Sequence, residues 1–215
     1  MSNPESFIEE VTEEVRRDRL FAIFRKYGWI AVLLVVLIVG GAAYTEWQKA
    51  ANRTQAQAFG DAVLAAFEAG TPQARRNALA AVPATGDRAA IINLLLASDP
   101  AEDRAGALAA LEKVAADTTL PASYRDLAVL RRVILAGADM ALAERRAALD
   151  PIAAPGRPFR PLALEQLAYL LVEAGDTAGA IAALQGLSQD QEAPSGLRQR
   201  ATQMIVALGG DVAAG

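Results

Sequence analysis

Hydrophobic positions along this chain fall into two regimes. Between Lys26 and Glu46 the nineteen residues YGWIAVLLVVLIVGGAAYT carry no formal charge, and from Trp29 to Val39 the run is densely apolar. Such a run predicts one helix about 28 Å long at 1.5 Å per residue, close to the roughly 30 Å hydrocarbon core of a bilayer. A domain of this size cannot bury a helix that is apolar on every face, so a transmembrane helix over 27–45 is expected. Tyr27 and Trp29 mark one edge and Tyr44 and Trp47 the other, where their amphipathic rings suit the headgroup level. Beyond the run, apolar residues recur every three or four positions and predict a series of helices. The stripes are Ala56, Phe59, Val63 and Phe67; Ile91, Ile92, Leu94, Leu95 and Leu96; Leu108, Leu111 and Val114; and Tyr124, Leu127, Leu130 and Ile134. Further on come Leu164, Leu167, Ala168 and Leu171; Ile181, Leu184 and Leu187; and Leu197, Ala201, Met204, Ile205 and Leu208. No stretch shows sustained strand alternation, so the expected fold class is all-α.

The flanks of the apolar run set its orientation. Arg16, Arg17, Arg19, Arg25 and Lys26 precede it, whereas only Lys49 and Arg53 follow closely. The positive-inside rule then keeps residues 1–26 in the cytoplasm and exports 46–215, into the periplasm in a bacterium. A cleaved signal peptide is the rival reading, with Gly41-Ala42-Ala43 as the small-residue site. A Glu-rich n-region of some 26 residues argues against it, and Val15, Asp18 and Arg19 do not fit a twin-arginine signal around Arg16-Arg17. Within the N-terminal segment, Ser6-Phe7-Ile8-Glu9 has capping-box spacing, and Phe7, Val11 and Val15 form a narrow apolar stripe beside Ile8. That stripe suits docking on a membrane partner, or a solvated extension of the anchor.

Self-similarity organises the rest. GALAALEKVAAD at 106–117 matches GAIAALQGLSQD at 179–190 in six of twelve positions, at an offset of 73. The offset continues through Pro121, Arg125 and Ala128 against Pro194, Arg198 and Ala201, with an intermediate copy at Arg160 and Ala163 that divides 73 into 35 and 38. A period near 36 with two helices per unit predicts an α-solenoid. One unit resembles a tetratricopeptide repeat in its spacing of Ala168, Leu171, Gly175, Ala180, Leu184 and Leu187. Small residues at 168 and 180 let paired helices approach, leucines fill between them, and Gly175-Asp176 makes the turn. The unit around Leu95 and Ala107 carries Glu102 in place of the turn glycine, so the repeats are divergent. Pro151, Pro155, Pro158 and Pro161 with Gly156 read as a longer inter-repeat loop. An irregular helical bundle is the alternative.

Composition removes most chemistry. The 215 residues include no Cys and no His, which takes away disulfides, thiol catalysis and the commonest general base and metal ligand. A formal charge of -4 disfavours nucleic acid as a partner. Neither a P-loop nor G-x-S-x-G is present. Asp99, Glu102 and Asp103 read as helix-capping acids, and Lys113 as a solvated side chain. No catalytic, cofactor-binding or metal residue is therefore expected. The pairs Arg75-Arg76, Arg131-Arg132 and Arg145-Arg146 read as helix faces paired with nearby acids, or as a surface for acidic segments or lipid headgroups.

A charged segment (FIEEVTEEVRRDRLFAIFRKYG), one span, and divergent repeats ending LRQRATQMIVALGG together resemble the ancillary SecYEG translocon subunit family of Gram-negative bacteria, in its alphaproteobacterial form. The resemblance covers nearly the whole chain, most clearly the N-terminal segment with its span and residues 158–208. It implies a single-pass inner-membrane protein whose periplasmic domain associates with SecYEG and a periplasmic chaperone of prolyl-isomerase type. Helping to hand over exported polypeptides is the implied activity, with no catalytic residues. Two other readings share the architecture: a periplasmic scaffold for envelope assembly or cell division, and a structural subunit of a membrane complex held by its span.

Overall fold

The computed structural model describes residues 4–211, with side chains from Arg25 onward except at Ala31. Among these residues the chain is all-helical. Helix α1 runs Pro4–Phe67, followed by α2 (Pro72–Ala81), α3 (Asp87–Leu96), α4 (Arg104–Ala116) and α5 (Ala122–Ala136). A 3-10 turn at Gly137–Asp139 leads to α6 (Leu142–Leu149), and α7 (Arg160–Glu173), α8 (Thr177–Gln189) and α9 (Ser195–Ala207) complete the series. The apolar run lies inside α1, which does not stop at residue 45 but continues to Phe67. The capping box at Ser6–Glu9 and the stripe at Phe7, Ile8, Val11 and Val15 concern side chains outside the described residues. The chain divides into two units, Met1–Gly60 and Asp61–Gly215.

Local chemistry explains where the helices of the second unit begin and end. Thr71 accepts from Ala74 N (3.1 Å) to cap α2, with Pro72 in the first turn. Asp103 accepts from Gly106 N and Asp176 from Gly179 N, both at 2.8 Å, to cap α4 and α8. The glycines leave the carboxylates close against the helix: a Cβ would lie 2.1 Å from Asp103 Oδ2 and 2.3 Å from Asp176 Oδ2, so an alanine there would make the cap shift. Helices α5 and α9 open on Pro121 and Pro194, whose carbonyls accept from Tyr124 and Arg125 and from Leu197 and Arg198. The 73-residue offset therefore extends to the backbone hydrogen bonds. Gly175, at φ +80°, ends α7: its N–H bonds to Val172 O and that of Asp176 to Leu171 O, which closes the helix with a left-handed residue.

Each helix from α2 onward packs on its successor, and α5 also meets α7 as α7 meets α9. This repeat-like packing has a fixed register. Four, eight and eleven residues after the capping positions Asp103, Ala141 and Asp176 stand Ala107, Arg145 and Ala180; Leu111, Leu149 and Leu184; and Val114, Ile152 and Leu187, all buried. On the alternating helices the buried alanines Ala90, Ala128, Ala163 and Ala201 follow at spacings of 38, 35 and 38. Three hydrophobic clusters result, centred on Leu111, Leu149 and Leu184.

Several expected stripes are shifted. On α5 the chain buries Leu130, Val133 and Ala136 and leaves Ile134 exposed; at the end of α1 Ala66 is buried while Phe67 stands out. Of the apolar run on α3 only Ile92 is buried, and Ile91, Leu94, Leu95 and Leu96 are partly so. Pro161 belongs to the first turn of α7 and is buried, so the proline loop ends at Phe159. Helix α2, whose one buried side chain is Leu79, carries too little apolar periodicity to be legible.

Candidate functional site: an unburied apolar helix and a ladder of helices

No part of the apolar stretch of α1 is buried in the molecule. Val32 to Val39 are each roughly half to two-thirds exposed, and the Cβ positions of Gly40 and Gly41 have no neighbour within 4 Å. Burial of such side chains in an apolar medium is worth about 1.5–3 kcal/mol apiece, so the stretch needs an apolar environment the described chain does not supply. This is the one helix among the described residues long and apolar enough to cross a membrane, and it lies near the N-terminus. Tyr27, Trp29, Tyr44 and Trp47 are all exposed on it. Lys26 Nζ stands 5.5 Å from the Tyr27 ring centroid, and the rings of Tyr44 and Trp47 are 6.2 Å apart. From Tyr27 to Tyr44 the axial distance is about 26 Å at helical rise.

The repeat residues are interior ones. Ala168, Ala180, Leu184 and Leu187 are buried, Leu171 is half-buried, and Gly175 forms the turn into Asp176. They hold helices together and present no chemistry of their own.

Polar side chains do further structural work. Arg131 on α5 donates to Leu94 O (3.0 Å) and Ala97 O (2.7 Å), and Arg76 on α2 to Leu96 O (3.0 Å), so two guanidiniums cover the C-terminal carbonyls of α3. Burial lowers the pKa of Arg131 from its ordinary value without threatening its charge. Arg76 also meets Asp103 Oδ2 at 2.6 Å, which ties α2 to the cap of α4. Asp126 on α5 pairs with Arg157, and Glu165 on α7 takes both Arg200 Nε and Nη2 from α9 at 3.0 Å. Arg160 reaches Asp190 (2.6 Å) and Glu192 (2.9 Å). Asp190 is held below the usual carboxylate range by the Glu192 N–H, and Arg160 assists. Arginine ties thus join α2 to the cap of α4, α3 to α5 and α7 to α9, and the loop before α7 to α5.

In the three basic pairs, Arg76, Arg131 and Arg145 are tied inward. Arg132 instead bonds Glu112 (2.8 Å). Arg145 is the side chain that sequence reasoning missed. It is buried, donates from Nε to Met140 O (2.9 Å), and forks onto both oxygens of Glu173. The hydrogen bonds from Arg145 keep the Glu173 carboxyl below its ordinary pKa. Setting Leu149 midway between Leu111 and Leu184, at 38 and 35 residues, is the sequence signal that would have put Arg145 in an alanine slot.

Among the described residues no three metal-ligating side chains converge. No family model matches the chain, and neither a curated protein nor a solved structure is significantly similar to it.

Proposed function

We propose that this chain is a membrane-tethered protein-interaction subunit of the Sec export machinery, in which a tetratricopeptide-like solenoid binds partners and helps hand over exported polypeptides. One observation carries the reading: an unburied apolar helix of spanning length shares the chain with a unit built on repeated helical register. Tethering confines the unit to the membrane surface and raises its effective concentration for partners there. A stacked-helix unit offers an extended surface, which suits recognition of polypeptides. The excess of cations before the apolar run supports a cytoplasmic N-terminus and a periplasmic repeat unit in a bacterial inner membrane. The resemblance to the ancillary SecYEG subunits supplies the particular partners: the translocon and a prolyl-isomerase-type chaperone.

The test is purification of tagged full-length protein from native membranes in mild detergent, beside a version whose apolar run is replaced by an unrelated span. Translocon subunits and a periplasmic chaperone should accompany both versions. Division or envelope-assembly proteins without the translocon would overturn the assignment, and loss of every partner on replacing the span would make the chain a subunit held by its anchor.

A further inference from the structure

Three hydrophobic clusters hold the repeat unit, and they depend on α6 unequally. The first draws its buried residues from α3 to α5, and the third from α7 to α9. The middle one joins Leu130 and Val133 of α5 to Leu149 of α6, to Ile152 just after it, and to Ala163 and Leu170 of α7. Taking α6 away therefore removes no buried residue from the first or the third cluster.

Helix α6 is also the least secured of the inner helices. It has eight residues against thirteen in α4 and α8, and its start at Ala141 has no side-chain cap. It buries two side chains, Arg145 and Leu149, where α4 buries four and α8 three. One of the two is a guanidinium, and taking that charge out of water offsets part of what its bonds to Met140 O and Glu173 return. Elements with few buried apolar contacts open at low free energy. Both ends of the segment are pinned. Gly137, at φ +53°, closes α5 through its N–H to Val133 O, and beyond α6 Arg157 pairs with the buried Asp126 of α5. Helices α5 and α7 also meet directly, without α6 between them.

We propose that α6, with the turn to Ile152, opens as a unit between these pins while α2–α5 and α7–α9 stay folded. Opening uncovers the α5 and α7 side chains of the middle cluster, so the repeat unit carries an apolar cleft that is closed most of the time. Arg145 regains water as it leaves, which lowers the cost of the motion. The motion needs no partner, and its test is independent of the Sec assignment.

Native-state hydrogen exchange of the full chain in detergent micelles, at urea concentrations below the unfolding midpoint, reads the opening directly. The hydrogen-bonded amides of Arg145, Asp150 and Ile152 should be at least about tenfold less protected than the slowest amides of α4 and α8. Their exchange should also rise less steeply with urea, since the opening exposes less surface than global unfolding does. Ile152→Val, inside the opening segment, should speed exchange of α6 by about threefold. Ile205→Val, in the third cluster, should speed the slowest amides of α8 and α9 by about the same factor and leave α6 as it was. Protection of α6 equal to that of α4 and α8, a urea slope equal to theirs, or acceleration of α6 by Ile205→Val would each overturn the proposal, because the helix would then open only with the whole unit.

Discussion

Helices α4 and α8 differ from α6, which stands between them in the same ladder. The outer two have thirteen residues, an aspartate cap and a buried alanine one turn in; α6 has eight residues, Ala141 at the cap without a side-chain bond, and Arg145 in the alanine slot. All three keep a fully buried leucine two turns in, at 111, 149 and 184. The shared leucine therefore fixes where each helix sits, and the alanine slot is negotiable. An arginine there cannot let backbones approach as alanine does, so its guanidinium must find buried acceptors. Met140 O supplies a buried one and the half-exposed Glu173 carboxylate takes the rest of the fork. The cut in helix length is repaired by a turn: Ile152 N–H bonds to Leu149 O, and Ile152 still reaches the position that Val114 and Leu187 fill.

The largest effects should come from the leucines. Leu111→Ala, Leu149→Ala and Leu184→Ala should each cost about 2–5 kcal/mol, read from denaturant melts of the full chain in detergent. If α6 is held as firmly as its neighbours despite its length, the Leu149 loss will match the other two. A loss under about 1 kcal/mol would show that the site collapses there and that α6 contributes little packing.

Next come the caps. Asp103→Ala and Asp176→Ala should each cost about 1 kcal/mol. The Asp103 change should cost more, because Arg76 loses its partner as well. Equal losses in urea melts would mean that the Arg76 contact adds nothing. Gly175→Ala, forced to φ +80°, should cost about 1–2 kcal/mol. Gly86→Ala, at φ +55° before the uncapped α3, is its control: a similar loss would place the cost in backbone conformation and not in the turn between α7 and α8.

Legibility followed chemistry. The apolar run of α1 was plain, since nineteen uncharged residues have few other uses. So were the helices around Leu111, Leu184 and Ala201, where copies 73 residues apart check each other. The Asp103 and Asp176 caps follow from their glycines three residues later. What could not be read was α6: its Arg145-Arg146 pair looks like a solvated face, and only the spacing of the leucines on either side reveals that one arginine turns inward.

The smallest effect tests the Arg145 fork by pH. Glu173 is about half exposed, so solvent screens its pair and the contribution is modest. Its sign is fixed: a carboxyl whose folded pKa is depressed stabilises above its unfolded value, near about 4.3, and loses that contribution as the pH falls through the folded value. Arg145 stays charged throughout, so the carboxyl alone titrates. Asp190 and Asp117, depressed by the N–H of Glu192 and by the Thr119 hydroxyl, give every variant a background fall in the same acid range. Wild type should therefore lose more melting temperature between pH 5 and pH 3 than Glu173→Gln does. Arg145→Ala should behave like Glu173→Gln, since removing the guanidinium returns Glu173 to its ordinary value and gives α6 the alanine its neighbours have. Identical acid limbs in all three proteins would mean that the fork is geometry without energetic weight, and that α6 is held by Leu149 and Ile152 alone.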